Sequence, residues 1–307
     1  MQEPTSSERA LPRRPEGEQP IEFRRDLGEV AIAGFEWAGD GPPILLAHGT
    51  GFHGRLWDAV ARLLPGRRVI ALDLRGHGRS SKPEGDEAYH WARFGDDIGR
   101  IVEDLDLRGV IGVGHSMGGY SVAEAVRHHL DRFAALLLID PTIFLPRPDG
   151  ERTAGALDFV ARRRNEWASH EEMIERFEPR FPFSAWAPGI LRDYAVHGLL
   201  AVPSGEGHVL ACPPTVEAAV YAARDSIGTH LVDALGTLTL PTRVLRAKTP
   251  VPGEEAAPFT TSPTMPDLAS RLPDAIDVSL PHLSHFIPME APDLVARHII
   301  EAADAVS

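Results

Sequence analysis

The chain has 307 residues, of which 43% are hydrophobic and 24% are charged. That is enough apolar material for one large domain or for a domain with a substantial insertion, and it excludes a disordered or fibrous protein. The formal net charge of -13 repels nucleic-acid phosphates and anionic membrane surfaces, so neither is an expected partner. The single Cys212 can form neither an internal disulfide nor a thiolate zinc site.

The first twenty residues carry charges and prolines throughout and lack the apolar stretch of a secretory signal. They predict a disordered tail over 1–20. No segment reaches the roughly 18–20 apolar residues that a membrane-spanning helix needs. We therefore expect a soluble, cytoplasmic protein, and the sequence carries no signal for its oligomeric state.

Apolar runs of strand length recur along the chain, with helical patterns between them. The later runs are almost continuous Val, Ile and Leu, which is typical of strands buried on both faces of a parallel sheet. Apolar residues spaced by three and four predict helices over 94–105 and 122–130. This alternation predicts an α/β fold with a mostly parallel, doubly wound sheet. The predicted strands are 30–37, 43–48, 68–74, 109–114 and 133–139.

The alternation stops after Pro141. Residues 142–240 contain short helical patterns, at 156–164 and 171–176, and no convincing strand. This segment predicts an inserted helical cap between two parts of one core domain, 21–141 and 241–307. Strand patterns return at 241–246 and 275–280, and an amphipathic helix over 292–303 closes the chain.

Ser116 is the candidate nucleophile. It lies in Gly114-His115-Ser116-Met117-Gly118, a G-x-S-x-G sequence directly after a predicted strand and before a predicted helix. A serine needs a base to become nucleophilic at neutral pH. His285, between the last strand and the last helix, is the candidate base.

Four motifs now occur in order: HG at 48–49, D-x-R-G-x-G-x-S at 73–80, G-x-S-x-G at 114–118 and H-F-x-x-x-E-x-P at 285–292. With these four motifs in this order, the sequence resembles the α/β-hydrolase superfamily. The resemblance covers nearly all of the chain after residue 20 except the insertion. The resemblance implies the α/β-hydrolase fold and cofactor-independent serine hydrolase chemistry. The remaining histidines lack carboxylates at ligand spacing, so no metal is expected.

The resemblance also implies an oxyanion hole. Attack on a carbonyl creates an alkoxide that two preorganised backbone N–H groups can stabilise. These are expected from Met117, directly after the nucleophile, and from Thr50, after His48-Gly49; Gly51 is the alternative to Thr50.

The triad acid is the main departure from the family pattern. The acid usually follows the strand after the insertion, yet no aspartate occurs between Asp233 and Asp267. Asp140, at the end of the strand before the insertion, is one candidate, because some relatives hold their acid there. Glu254 or Glu255, in the loop after the insertion, is the alternative.

The expected function is hydrolysis of a small or medium apolar carboxylic ester by a carboxylesterase-like serine enzyme. Thioester, lactone and C–C bond cleavage use the same groups and stay open, as does a ligand-binding or receptor-like protein with weak or no catalysis. Most aromatic residues of the insertion are expected to form its own core. Phe181 and Phe183 are the candidates for contact with substrate.

Overall fold

A computed structural model describes residues 11–144, 160–202, 205–226, 230–251 and 259–306. No helix in these ranges is long and apolar enough to cross a membrane. The strands are β1 Ile21–Asp26, β2 Ala31–Trp37, β3 Asp40–Ala47, β4 Arg67–Asp73, β5 Val110–His115, β6 Phe133–Ile139, β7 Glu166–Trp167, β8 Leu199–Ala201, β9 His208–Leu210, β10 Thr242–Arg246 and β11 Ala275–Ser279. The α-helices are α1 Asp58–Ala61, α2 Trp91–Asp104, α3 Met117–His128, α4 His170–Phe177, α5 Ile190–Gly198, α6 Pro214–Ala222, α7 His230–Leu235, α8 Ile287–Glu290 and α9 Pro292–Asp304.

Eight strands form one sheet in the order β1-β2-β4-β3-β5-β6-β10-β11. The six strands from β4 to β11 run parallel, while β2 pairs antiparallel with β4 and β1 pairs antiparallel with β2. The predicted α/β-hydrolase fold, with a mostly parallel and doubly wound sheet, is confirmed.

Two apolar layers cover the faces of this sheet. On one face α2 and α3 pack through residues at helical spacing, such as Phe94, Ile98 and Val122. On the other face α1 and α9 pack through Val60, Val295 and others. Burial on both faces explains why the central strands read as continuous apolar runs.

The N-terminal segment differs from the predicted tail. Residues 11–20 are ordered against the core, because the buried Arg14 donates from its backbone to Arg62 O over 2.8 Å and from Nε to Ala61 O over 3.0 Å. Its charge is paired with Glu18 at 2.6 Å. The prediction of a disordered tail is therefore wrong for these ten residues; residues 1–10 lie outside the described ones.

The insertion also differs from the sequence prediction. Its described part contains the short antiparallel sheet β7-β9-β8, whereas the sequence indicated no strand there. Strands of two or three residues are too short to show period-two alternation. The predicted helix at 171–176 lies within α4, and Ser169 caps that helix by accepting from Glu172 N. Of the predicted helix at 156–164, residues 156–159 lie outside the described residues, residues 160 and 161 are helical, and residues 162–164 are not.

Aromatic side chains hold the insertion together and attach it to the core. Trp167, Trp186 and Tyr194 are buried in one cluster, as expected for the core of the insertion. The same cluster includes Phe286, and Phe52 packs edge-on against both Trp186 and Tyr194. The insertion therefore packs against the loops that follow β3 and β11.

Candidate active site

Parallel pairing brings the carboxyl ends of four strands together. Ala47 of β3 pairs with Gly114 of β5, His115 of β5 pairs with Ile139 of β6, and Leu245 of β10 pairs with the same Ile139. The next residues along the chain therefore meet at one sheet edge, where open α/β sheets bind their ligands. Ser116 and Asp140 stand there, and His285 reaches the same edge from the loop between β11 and α8.

Ser116 occupies a strained turn between β5 and α3. Its φ of 56° and ψ of -120° lie in a region that non-glycine residues rarely adopt. The flanking glycines are required by space: a Cβ at Gly114 would lie 2.2 Å from Gly118 O, and a Cβ at Gly118 would lie 2.2 Å from Ala47 O. This crowding is the physical basis of the G-x-S-x-G motif in this chain.

Ser116, His285 and Asp140 form one hydrogen-bonded chain. Ser116 Oγ lies 2.9 Å from His285 Nε2, and His285 Nδ1 lies 2.7 Å from Asp140 Oδ2. The carboxylate can only accept, so Nδ1 carries the ring proton and Nε2 is left to accept from the serine hydroxyl. Among the sequence candidates for the acid, Asp140 is in contact with His285, and Glu254 and Glu255 lie outside the described residues.

Asp140 is fully buried, and its second oxygen is also occupied. Oδ1 accepts from Ala247 N at 3.0 Å and from Ser262 Oγ at 2.5 Å. Ala247 directly follows β10, and Ser262 belongs to the loop after that strand. Sequence reasoning missed Ser262, since a serine in a long loop carries no motif.

Thr142 is a second residue that the sequence did not single out. Its hydroxyl lies 3.2 Å from Ser116 Oγ, and its backbone N donates to Ser116 O at 3.1 Å. Because the serine proton points to His285, the threonine hydroxyl is the donor in this pair. Its position two residues after Asp140 is the only signal that could have pointed to it.

The expected oxyanion-hole residues also meet here. Thr50 Oγ1 donates to Met117 Sδ at 3.4 Å, so the two residues are neighbours. Neither backbone N–H has an acceptor among the described residues. Gly51 N instead donates to His77 Nε2 at 3.1 Å, which argues against its use as the alternative donor.

The histidines around the site are neutral at physiological pH. Burial lowers the pKa of His115 to about 3, and Nε2 of this ring donates to His285 O at 2.8 Å. Burial likewise lowers the pKa of His77 to about 4 and holds that of His48 well below its ordinary value. These rings therefore support the backbone of the site through hydrogen bonds.

The two phenylalanines expected near the substrate lie in different surroundings. Phe183 stacks on Phe177 with ring centroids 4.5 Å apart and belongs to the core of the insertion. Phe181 is 46% exposed and faces Phe286, the residue after His285. Phe259, which is also exposed, stacks on His285 itself at 6.0 Å.

No group of three or more His, Cys, Asp or Glu side chains within the described ranges could hold a metal ion. The polar groups that converge at the sheet edge are those of a hydroxyl, an imidazole, a carboxylate and backbone amides. This set can generate a nucleophile and stabilise an oxyanion.

Comparison with known proteins agrees with this chemistry. Residues 44–298 match the model of the alpha/beta hydrolase family, so the chain belongs to this family and is related to hydrolases. It is 29% identical to 2-(acetamidomethylene)succinate hydrolase of Mesorhizobium japonicum over 293 residues, 93% of this chain and 96% of that protein. It is 31% identical to the lipase LipV of Mycobacterium tuberculosis over 211 residues, 66% of this chain and 74% of the lipase.

Solved structures give the same fold. The crystal structure of E-2-(acetamidomethylene)succinate hydrolase superposes with a TM-score of 0.73 at 24% identity, covering 93% of this chain and 99% of the other. A thermophilic esterase from Thermogutta terrifontis superposes with a TM-score of 0.68 at 25% identity, covering 93% and 99%. The names of these relatives include a lipase, an esterase and a hydrolase of a substituted succinate.

Proposed function

We propose that the protein is a serine hydrolase that cleaves carboxylic esters through an acyl-enzyme on Ser116. One observation carries the proposal: the unbroken hydrogen-bonded chain from Ser116 Oγ through His285 to the buried Asp140. A nucleophile, a base and an orienting acid within hydrogen-bond reach are the constellation of acyl transfer.

In the first half of the reaction His285 Nε2 takes the proton from Ser116 Oγ as that oxygen attacks the ester carbonyl. Asp140 stabilises the imidazolium that forms and keeps the ring in the required tautomer. The tetrahedral oxyanion accepts from the backbone N–H groups of Thr50 and Met117. His285 then protonates the departing alcohol, and the acyl group stays on Ser116.

In the second half a water replaces the alcohol. His285 removes a proton from this water, which attacks the acyl carbonyl and forms a second oxyanion in the same hole. Collapse returns the proton to Ser116 Oγ and releases the carboxylic acid. No cofactor is needed at any step.

The surroundings of the site favour a small or medium, neutral and apolar ester. Two exposed aromatic rings lie near the base: Phe259, from the loop after β10, stacks on His285, and Phe181, from the insertion that we propose acts as a cap, faces the adjacent Phe286. Two arginines near the site are neutralised, because Arg246 pairs with Asp277 and Arg163 pairs with Glu217. An acidic protein with paired local cations disfavours multiply anionic substrates. A cytoplasmic location is part of the same proposal.

Labelling with a fluorophosphonate tests the proposal. We expect one covalent adduct, located on Ser116 by peptide mass spectrometry, because only an activated serine reacts quickly with this reagent. The Ser116→Ala variant is the matched control and should take up no label. An unlabelled wild-type protein would instead support the rival function, a ligand-binding protein that keeps the fold without catalysis.

A further inference from the structure

The loop after β10 contacts the acid and the base at once. Ser262 N donates to Lys248 O at 2.8 Å, and Met265 N donates to Ile143 O at 2.9 Å. Residues 262–265 are therefore hydrogen-bonded to the segments that follow β10 and β6. Further back, Phe259 O accepts from His285 N at 3.1 Å. The segment 259–265 therefore bridges the residues of the active site, although it contains no carboxylate.

We propose that Ser262 is a positioning residue of the catalytic site, acting on His285 through Asp140. This inference rests on the proposed function of that site. The loop in which the family usually carries its acid supplies a hydroxyl here, and this hydroxyl holds the acid that has come from β6.

The hydrogen-bond pattern fixes the direction of the Ser262 proton. Thr264 N donates to Ser262 Oγ at 3.2 Å, so the hydroxyl oxygen already accepts a hydrogen bond. Its own proton then points to Asp140 Oδ1 at 2.5 Å. Both residues are buried, and Thr264 Oγ1 also donates to Pro141 O at 2.7 Å. The loop thus binds the side chain of Asp140 through Ser262 and the backbone of Pro141 through Thr264.

Two donors on Oδ1 have two effects. Ala247 N and Ser262 Oγ fix the rotation of the carboxylate, so that Oδ2 stays directed at His285 Nδ1. They also share the negative charge, which limits how strongly Asp140 attracts the ring proton. Loss of the Ser262 hydroxyl should therefore loosen the acid and concentrate its charge on His285.

Few other titratable or charged groups lie near His285 and Asp140. His115, from β5, faces the His285 ring at 4.9 Å between centroids, and its pKa is lowered to about 3 by burial, so it is uncharged. Arg246, from β10, acts on Asp140 at longer range but is bound to Asp277 by two hydrogen bonds. Glu290, from α8, accepts from the neighbouring Ser284. None of these contacts involves Ser262, so we expect them to be retained when Ser262 is replaced.

The test compares Ser262→Ala with Ser262→Thr, which keeps the hydroxyl. Ser270→Ala is the matched control, since Ser270 lies on the surface and donates to Asp267 O. We expect kcat/KM for p-nitrophenyl acetate to fall about ten- to a hundredfold in Ser262→Ala. We expect the acid limb of its pH profile to move up by roughly half a unit to one unit, because imidazolium is stabilised. Ser262→Thr should restore both.

A second readout needs no turnover. The proton NMR resonance of the Nδ1–H group between His285 and Asp140 should move downfield in Ser262→Ala, and His285→Gln identifies it by its loss. An unchanged resonance and acid limb in a folded Ser262→Ala would overturn the inference. If wild-type protein turns over no ester, the proposed function fails, while the resonance still decides the role of Ser262. Should the alanine variant not fold, Ser262→Cys, a weak donor of similar size, replaces it.

Discussion

The backbone conformation and the side-chain orientation of Asp140 are both fixed by contacts with neighbouring residues. Its φ of 43° is one that aspartate tolerates better than most side chains, and its backbone N donates to Leu245 O at 2.7 Å. Both carboxylate oxygens are occupied and the side chain is fully buried. A buried carboxylate held this way can orient an imidazole without itself taking up a proton.

Replacement of the acid tests its assignment. We expect Asp140→Asn to lower turnover by about 10³- to 10⁴-fold, because an amide can donate to His285 Nδ1 and so favours the wrong tautomer. Glu254→Gln, a matched carboxylate-to-amide change in the loop after β10, should retain nearly wild-type turnover. Steady-state hydrolysis of p-nitrophenyl acetate measures both variants. The reverse ranking would assign the acid to that loop.

Sequence reasoning reached some residues of the site and not others. Ser116 and His285 stand in short local motifs whose spacing is set by a turn, so they were predictable. Asp140 remained one of two alternatives, since several loops end at the same sheet edge. Ser262 and Phe259 approach from a long loop whose path depends on tertiary contacts, and no local pattern encodes that path.

Among the elements, the central strands of the sheet and the last helix were predictable from the sequence. The central strands and the last helix follow from continuous apolar runs and from helical spacing. The edge strand β1, with the sequence IEFRRD, was missed because it exposes most of its side chains and pairs on one side only. The insertion was read as wholly helical, since its strands are stabilised by the aromatic cluster around Trp167 rather than by their own pattern.

The exposed rings of Phe181 and Phe259, which lie near the His285–Phe286 segment, lead us to expect a preference for apolar substrates. We expect p-nitrophenyl butyrate to be hydrolysed with a kcat/KM about tenfold or more above that of p-nitrophenyl hemisuccinate, which is of similar length but carries a carboxylate. In Phe181→Ala the KM for the butyrate ester should rise about three- to tenfold through lost apolar contact. The control Leu130→Ala removes an exposed apolar side chain elsewhere. A preference for the hemisuccinate would refute the neutral-substrate proposal.

At the scale of the whole molecule, buried histidines make stability depend on pH. Burial lowers the pKa of His53 to about 3, from about 6.5 in the unfolded chain. The unfolded state therefore binds its proton first, and the stability that neutral His53 contributes is present above pH 6.5 and lost as pH falls toward 3. His77 and His115 act in the same direction. Asp73 acts in the opposite direction: burial raises its pKa, so the folded state binds this proton first as pH falls.

A comparison of the wild type with His53→Gln isolates the contribution of His53 to the pH dependence of stability. On going from pH 7 to pH 5 the free energy of unfolding should fall by about 2 kcal/mol less in His53→Gln than in the wild type. Urea denaturation at the two pH values measures the difference. His90→Gln, the same change at an exposed histidine, should keep the wild-type dependence. Equal losses in the wild type and His53→Gln would contradict the prediction.

The position of Asp140 also bears on how such a protein can diversify. Nucleophile and acid belong to a single strand–helix–strand unit, from β5 through α3 to β6, and both precede the insertion. Only His285 must be contributed by the chain beyond it. Changes of length or sequence in the insertion thus leave two of the three proposed catalytic groups in place. Under the proposed function, the insertion is therefore a part that evolution can exchange to alter specificity while the groups on β5 and β6 stay unchanged.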